Sequence, residues 1–109
     1  MIEIVPHWPA VAPMRDPTTL KGRLVINVTP ITGTLTGGAL IISYDLQMSS
    51  QSSGPFASVE GGTPETYKTT TQFIVVNGIT PGQTYYFRYR TLNRQGWSEV
   101  SGVTPVLAA

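Results

Sequence analysis

The chain has 109 residues, of which 40% are hydrophobic and 12% are charged, with a formal net charge of +1 and no cysteine. This length and apolar content predict one folded domain with a single two-layer core, and they exclude a disordered chain. The near-neutral charge gives no electrostatic basis for binding nucleic acid, and the lack of cysteine excludes disulfides, thiol chemistry and a Cys/His zinc site.

Residues 1–10 form an apolar, proline-rich segment, called the arm below. Pro6 and Pro9 disfavour a helix, so the arm is predicted to be extended and to precede a domain at residues 11–107. The simpler interpretation is an inter-domain linker that continues into the first strand. The arm is nevertheless more apolar than a solvated linker needs to be, which favours a docking role. Its candidate protein-contact residues are Ile2, Ile4, Val5 and Trp8.

A β-strand is predicted at residues 23–29, because apolar side chains alternate along it. The inward set is Leu24, Ile26 and Val28, and the outward set is Val25 and Asn27. Asn27 begins an Asn-Val-Thr sequon, which makes it a candidate N-glycosylation site, although such triplets are common by chance. Residues 30–38, rich in threonine and glycine, are predicted to form a loop without chemistry.

A second strand is predicted at residues 40–48, with a short edge strand to follow at residues 56–60. The inward set of the first of these is Ile42, Tyr44, Leu46 and Met48, and the outward set is Ser43, Asp45 and Gln47. Asp45 is expected to pair with Arg88 or Arg90 across the sheet. As an exposed ion pair, this contact would contribute roughly a few tenths of a kcal/mol.

The strand predicted at residues 70–76 carries four successive apolar residues, whereas a sandwich strand usually alternates. Counting back from the following turn places Ile74 and Val76 inward and leaves Phe73 and Val75 outward. The outward residues would form an exposed apolar contact patch with a neighbouring strand. Two alternatives are that the arm covers this patch and that the register is off by one residue. The candidate contact residues of the patch are Val25, Phe73 and Val75.

A Pro-Gly turn at Pro81 and Gly82 leads into an aromatic strand that ends at Asn93. Its inward set is Tyr85, Phe87, Tyr89 and Thr91, and its outward set is Tyr86, Arg88 and Arg90. Tyr85 is placed to bury its ring and to return its hydroxyl to the backbone of the turn, as in a tyrosine corner. The buried ring would contribute about 1.5–3 kcal/mol and the hydrogen bond about 1 kcal/mol.

The run from Ile79 to Asn93 resembles strand F and the preceding corner of a fibronectin type III domain. Residues 24–30 resemble strand B of that family, residues 37–46 its turn into strand C, and residues 93–98 its F–G loop. The resemblance covers about residues 11 to 107. It implies an all-β fold, a two-sheet antiparallel β-sandwich of seven strands with immunoglobulin-like topology, in which strands A, B and E share one sheet.

One position departs from the family pattern. Strand B usually ends with a buried tryptophan, and this chain has Val28 there. Trp8 and Trp97 are the residues that could fill the missing volume.

The predicted F–G loop presents Arg94, Gln95 and Trp97 as candidate recognition residues at one end of the sandwich. The alternative is that Trp97 folds back over the edge of the core. The adhesive Arg-Gly-Asp triplet is absent from the chain. A last strand is predicted at residues 98–105, after which residues 106–109 trail away.

No catalytic or cofactor chemistry is predicted. The chain has one histidine, His7, and its acidic residues lack metal-ligand spacing. No phosphate-binding loop and no helix are predicted, so we expect neither an enzyme nor a metal or cofactor site. Residues 1–4 lack the features of a signal peptide, and no apolar run has the length of a membrane span. These features fit a cytosolic protein, a mature form or an excised domain; the sequon favours an extracellular or cell-surface location.

The resemblance implies a structural or adhesive module that acts through protein–protein contacts. Either it is a spacer in a tandem array, or it self-associates. In the second case the arm of one copy would cover Val25, Phe73 and Val75 of the next and build a filament. A hypothesis from another class is a carbohydrate-binding accessory module. It would stack a polysaccharide on Trp97, Tyr86 and Trp8.

Overall fold

The computed structural model describes residues 2–108; Met1 and Ala109, at the outer ends of the arm and of the predicted trailing segment, lie outside the described residues. Two antiparallel sheets enclose one core. The strands are β1 (Met14–Arg15), β2 (Leu24–Asn27), β3 (Ser43–Ser49), β4 (Ala57–Glu60), β5 (Gln72–Val75), β6 (Thr84–Asn93), β7 (Gly96–Trp97) and β8 (Thr104–Leu107). Two short 3₁₀ helices, Gly33–Thr36 and Pro64–Thr66, lie in the loops, where the sequence predicted no helix.

The smaller sheet has the order β1-β2-β5, and the larger has the order β4-β3-β6-β7 with β8 also paired to β6. This arrangement confirms the all-β sandwich and the predicted pairing of the strands that contain Asp45 and Arg90, which are cross-strand partners. Within residues 2–108 the count is eight strands instead of seven, because β7 forms inside the predicted F–G loop and β8 does not begin until Thr104. Between β7 and β8, the hydroxyls of Ser98 and Ser101 accept hydrogen bonds from the β6 backbone at 3.0 Å.

The core between the sheets is filled by aliphatic, phenylalanine and tyrosine side chains. The rings of Tyr44 and Tyr89 lie 6.5 Å apart. The hydroxyl of Tyr44 accepts from the amide of Ile31 at 3.0 Å, and that of Tyr89 donates to the carbonyl of Thr29 at 2.9 Å. Burial raises the pKa of Tyr89 to about 12. Neither tryptophan belongs to the core cluster that contains Val28, so the expectation that a tryptophan fills this region is wrong.

The turn before β6 forms the predicted tyrosine corner. The buried Tyr85 accepts a hydrogen bond on its hydroxyl from the amide of Thr80 at 2.6 Å. Gly82 has φ +88°, a conformation that glycine adopts without strain. The amide of Gly82 also donates to the carbonyl of Ala108, and Val106 is buried. The C-terminal residues therefore form β8 and do not trail away from residue 106 as predicted.

The predicted register of β5 is wrong by one residue. Phe73 is 0% exposed and Val75 is buried, whereas Ile74 is 49% exposed and Val76 is also exposed. The register with β2 pairs Ile26 with Phe73, which aligns the inward residues of both strands. Counting back failed because a bend at residues 77 and 78 interrupts the strand pattern.

For two further residues, the observed exposure differs from the exposure that their predicted facing implies. Val25 lies beside Ile74, on the face that leads away from the core, but it is only 1% exposed. The segment that precedes β2 lies alongside it, since the amide of Val25 donates to the buried Thr19 hydroxyl at 3.1 Å and its carbonyl accepts from Asp16. Ile42, predicted to be inward, is exposed because it precedes the start of β3.

The chain measures 48 × 24 × 24 Å along its principal axes. The arm lies beside the end of β6 that contains Asn93, whereas Ala108 lies beside Gly82 at the start of β6. The arm and the last strand therefore meet opposite ends of the sandwich. The end that contains the arm, the β2–β3 connection (residues 28–42) and the β6–β7 turn (residues 93–96) is called the loop pole below.

Candidate interaction surface

The backbone of the arm is docked on the loop pole of its own chain. The amide of Ile4 donates to the carbonyl of Gly37, and that of His7 donates to the carbonyl of Leu35, each at 2.9 Å. The buried Asn93 side chain connects both segments, since its Nδ2 donates to the carbonyls of Ile4 at 2.7 Å and Thr36 at 2.8 Å. The arm is thus held in a fixed register by main-chain groups and one amide.

Gly37 makes this close approach possible. It has φ +76°, and a Cβ at this position would clash with the carbonyl oxygens of Ile4 and Val5. A side chain there would be strained by the backbone conformation and would also push the arm away. The Gly37-Gly38 pair lies in the segment that the sequence suggested only as a turn. Gly37 is therefore part of the docking groove.

An ion pair fixes the outer end of the arm. The Arg94 guanidinium donates to both carboxylate oxygens of Glu3, and the Gln95 amide donates to one of them at 3.3 Å. The Arg94 hydrogen bond lowers the pKa of Glu3, and Glu3 in turn raises the pKa of Arg94. Two of the three predicted recognition residues, Arg94 and Gln95, are therefore engaged by the arm of the same chain.

The loop pole nevertheless exposes large apolar side chains. Ile2 is 86% exposed and Leu40 is 90% exposed, which is more than most apolar residues of a folded domain. Shallow depressions of about 420 Å³ beside Ile2 and Ile4 and about 360 Å³ beside Leu40 and Ile42 meet at Gly38. The other exposed apolar residues of the arm and the β2–β3 connection are Ile4, Val5, Trp8, Leu35 and Ile42.

The sequence identified only part of this surface. All four predicted arm residues are exposed, but three others were missed. Leu35 lies in the loop that was predicted to have no chemistry, and Leu40 and Ile42 were assigned to a strand. The four consecutive apolar residues 39–42 could have indicated that this segment is not an alternating strand. Such a run cannot alternate between a core face and a solvent face.

Trp97, the third predicted recognition residue, lies over the outer face of the larger sheet. The Arg90 guanidinium carbon is 4.1 Å from the centre of the Trp97 ring, and Tyr67 contacts that ring edge-on with centres 6.5 Å apart. Trp97 therefore folds back, as the alternative expected, but over the sheet surface instead of the core edge. Its ring covers the Arg90 guanidinium, so Trp97 packs against the outer surface of the larger sheet.

The arginine next to Trp97 belongs to a polar network. Arg90 donates to Asp45 at 3.0 Å, and Gln47 also donates to Asp45 at 3.0 Å. Arg88 donates to Gln47 at 2.7 Å and lies 4.2 Å from the centre of the Phe56 ring. The aromatic rings thus cover both ends of a cross-strand network.

The expectation of an exposed Asp45 pair is wrong in one respect. Asp45 does face outward and does pair with Arg90, but its side chain is 0% exposed. Ser58 on β4 donates to its second oxygen at 2.6 Å, and Gly62 also lies against it. This carboxylate is enclosed by the edge strand, so its pairing matters more than that of a surface ion pair.

The rings proposed as polysaccharide platforms lie on three different parts of the chain, which are β7, β6 and the arm. Trp97 is covered by Arg90 on one face and meets Tyr67 at 74°. Trp8 lies on the arm beside His7, and Tyr86 is half-buried on β6 opposite Ser49. This geometry does not favour stacking of an extended sugar chain.

Asn27 takes part in a polar cluster on the smaller sheet. Its Nδ2, the atom that a glycan would modify, donates to Asp16 at 2.6 Å, and its Oδ1 accepts from Gln72 at 3.2 Å. Asp16 also accepts from the hydroxyl and amide of Thr18, and these hydrogen bonds, together with those from Asn27 and Gln72, lower the pKa of Asp16 to about 2. A glycan at Asn27 would replace one of the two hydrogens of this nitrogen, so the other hydrogen would have to make the contact with Asp16.

Within residues 2–108, no three His, Asp or Glu side chains are grouped in a way that could hold a metal ion. The same residues contain no helix with the length and apolar character of a membrane span.

Solved structures share this fold. The twitchin kinase region from C. elegans matches with a TM-score of 0.74 and 23% identity, over 94% of this chain and 16% of that chain. The fourth fibronectin type III domain of a human protein matches with a TM-score of 0.77 and 21% identity, over 99% and 82% of the two chains. The chain has the fibronectin type III fold. An Fn3-like protein from Clostridium thermocellum also matches, with a TM-score of 0.69 and 18% identity, over 96% and 95% of the chains.

No protein-family profile and no curated protein sequence matches this chain. It spans 16% of the twitchin chain and 32% of a titin chain that contains domains A168–A170, so its fold corresponds to one part of those longer proteins. At identities below 25%, these fibronectin type III structures establish the fold of the chain and do not establish its function.

Proposed function

We propose that the chain is a non-catalytic structural and protein-binding module that contacts a protein partner through its loop pole. The single observation that carries this proposal is the exposure of Ile2, which precedes Glu3 in the chain, and of Leu40, which lines one depression with Glu3 and Arg94. Apolar side chains gathered around charged groups are typical of a surface that becomes buried in a complex.

The rigidity of the pole supports the same function. The arm is held by the amide of Asn93 and by main-chain hydrogen bonds to residues 35 and 37, so the exposed side chains of Ile4 and Val5 project from a stretch of backbone that is hydrogen-bonded at Ile4 and His7. A preorganised surface loses less conformational entropy on binding than a flexible linker does. A passive spacer would not need an apolar end of this kind.

The test compares the partners retained by three immobilised full-length chains. The first is the wild type, the second carries Ile2→Ser and Leu40→Ser, and the third carries Leu107→Ser, which removes an exposed apolar residue at the opposite end. Proteins retained from an extract of the source organism are quantified by mass spectrometry. The proposal expects at least one partner that the wild type and the Leu107 variant retain and that the pole variant loses by at least tenfold.

Light scattering over a concentration series supplies the second readout, because the partner could be another copy of the chain. Equal retention by all three chains, with a mass that stays constant with concentration, would favour a spacer and overturn the proposal. Retention of an immobilised polysaccharide that is lost in Trp97→Ala would instead support a carbohydrate-binding module.

A further inference from the structure

We propose that the groove on the loop pole accepts the arm of a second copy, so that two chains exchange arms. This inference deepens the proposed function by naming a second copy as the partner, and it rests on the loop pole being the contact surface. The structure shows what the groove fits: an extended Glu-Ile-Val-Pro segment. Glu3 meets Arg94, and the Ile4 backbone lies between Gly37 and Asn93.

The filament expected from the sequence cannot form on its predicted patch. Phe73 and Val75 are core residues, and Val25 is buried, so the three residues that the arm of another copy was predicted to cover are not accessible to it. The groove at the loop pole is the surface that the arm already recognises. An identical arm from a second chain would make the same hydrogen bonds and the same ion pair.

When the arm docks on its own chain (in cis), it is only partly buried. Pro6 and Pro9 are buried, so a released arm would expose apolar surface, which favours its return to a groove. The Ile2 and Ile4 side chains stay exposed in the monomer. Arm exchange would bring two loop poles together, and these side chains could then be buried between the two copies.

The connection between the arm and the sandwich can act as a hinge. The chain bends at Ala10 and Val11, between Trp8-Pro9 and Ala12-Pro13. Residues that precede proline favour an extended backbone, so the whole bend is confined to a very short segment. Short, constrained hinges favour exchange of the segment they connect.

The arm is long enough for the exchange. Residues 2–9 can span at most about 28 Å when fully extended. The sandwich is 24 Å across in its two shorter dimensions. An arm that opens at its hinge can therefore reach the loop pole of a chain packed beside it.

A charge-reversal experiment separates docking in trans from docking in cis. Glu3→Arg places two arginines together within one chain, and Arg94→Glu places two glutamates together. When the two full-length variants are mixed, each arm has an opposite charge only on the other chain. The double variant with both changes restores the pair in cis and is the matched control. Neither position belongs to the core, so the fold is expected to stay intact, which circular dichroism checks.

The proposal expects each single variant alone to be monomeric and to lose at least tenfold in hydrogen-exchange protection at the amides of Ile4 and His7. Their mixture should reach twice the monomer mass in light scattering and regain that protection. The double variant should keep its protection without being mixed.

Two results would overturn arm exchange. One is a mixture that remains monomeric, and the other is unchanged arm protection in the single variants. Neither result bears on the Ile2 and Leu40 comparison, because those side chains make none of the groove contacts tested here. Failure of arm exchange is therefore distinct from failure of the loop pole as a partner surface.

Discussion

The amide of Asn93, at the end of β6, donates to the carbonyl of Ile4, 89 residues earlier in the chain, at 2.7 Å. The same nitrogen donates to Thr36 at 2.8 Å, so one buried side chain connects the arm, the β2–β3 connection and the β6–β7 turn. A single amide with two donors suits this place, because two carbonyls from different segments need a partner at one point. The order of the loop pole therefore depends on Asn93.

Asn93→Asp is predicted to loosen the arm and to lower the free energy of unfolding by about 1–3 kcal/mol. The change keeps the size of the side chain but removes both donors and places a carboxylate beside two carbonyls. Hydrogen exchange at the Ile4 and His7 amides should become faster, and chemical denaturation measures the stability. Gln51→Glu, the same chemical change on an exposed turn, is the control. If both variants exchange and unfold like the wild type, Asn93 does not hold the arm.

Asp45→Ala is predicted to destabilise the fold by about 3 kcal/mol. The change leaves Arg90 without its carboxylate and Ser58 without an acceptor in a region that β4 encloses. Removing an exposed carboxylate with Glu65→Ala should change stability by no more than about 0.5 kcal/mol. Denaturant melts of both variants give the comparison. A loss for Asp45→Ala as small as that of the control would show that the network acts as an ordinary surface pair.

The sequence predicted the sandwich because the features that define it are local. The Pro81-Gly82 turn and the alternation from Tyr85 to Thr91 fix one strand, its buried face and the tyrosine corner. The partner of Asp45 could also be predicted, since paired strands place opposite charges side by side. Its burial could not, because that depends on how β4 and residue 62 close over the carboxylate.

The loop pole was less predictable because, like the burial of Asp45, it depends on contacts between segments that are far apart in the chain. The apolar arm was visible in the sequence, but its binding site consists of backbone carbonyls at residues 35 and 37 and the side chain of Asn93. Backbone acceptors carry no sequence signal, and asparagine at the end of a strand is ordinarily a turn residue. The register of β5 failed at a single bend, which shows that alternation predicts facing only within an uninterrupted strand.

Stability should fall in acid partly because of Asp16. Its pKa in the folded state is lowered to about 2, from an ordinary value of 3.8, by hydrogen bonds from Thr18, Asn27 and Gln72. A lowered carboxyl pKa stabilises the fold above pH 3.8, and this contribution is lost as the pH falls towards 2. Asp16→Asn is therefore predicted to unfold with a smaller pH dependence between pH 4 and pH 2.

Thermal melts at several pH values across that interval make the measurement for Asp16→Asn. Glu65→Gln serves as the control, because Glu65 is an exposed carboxyl in a loop helix and has no side-chain hydrogen bond in the described structure. This control shows the effect of removing a carboxyl that accepts no such hydrogen bond. Parallel curves for the wild type and Asp16→Asn would show that the cluster around Asn27 is not coupled to folding.

Thr91→Val is predicted to raise the free energy of unfolding by about 1 kcal/mol. Thr91 is fully buried on the inward face of β6, and its hydroxyl has no hydrogen-bond partner among the described residues. Valine has nearly the same shape, so the change removes an unsatisfied polar group without opening a cavity. Thr84→Val, at the exposed first residue of the same strand, is the control for the β-propensity of valine. It should raise the free energy of unfolding by a smaller amount. Denaturant-induced unfolding compares the two variants. A destabilised Thr91→Val would indicate that a buried water satisfies the hydroxyl.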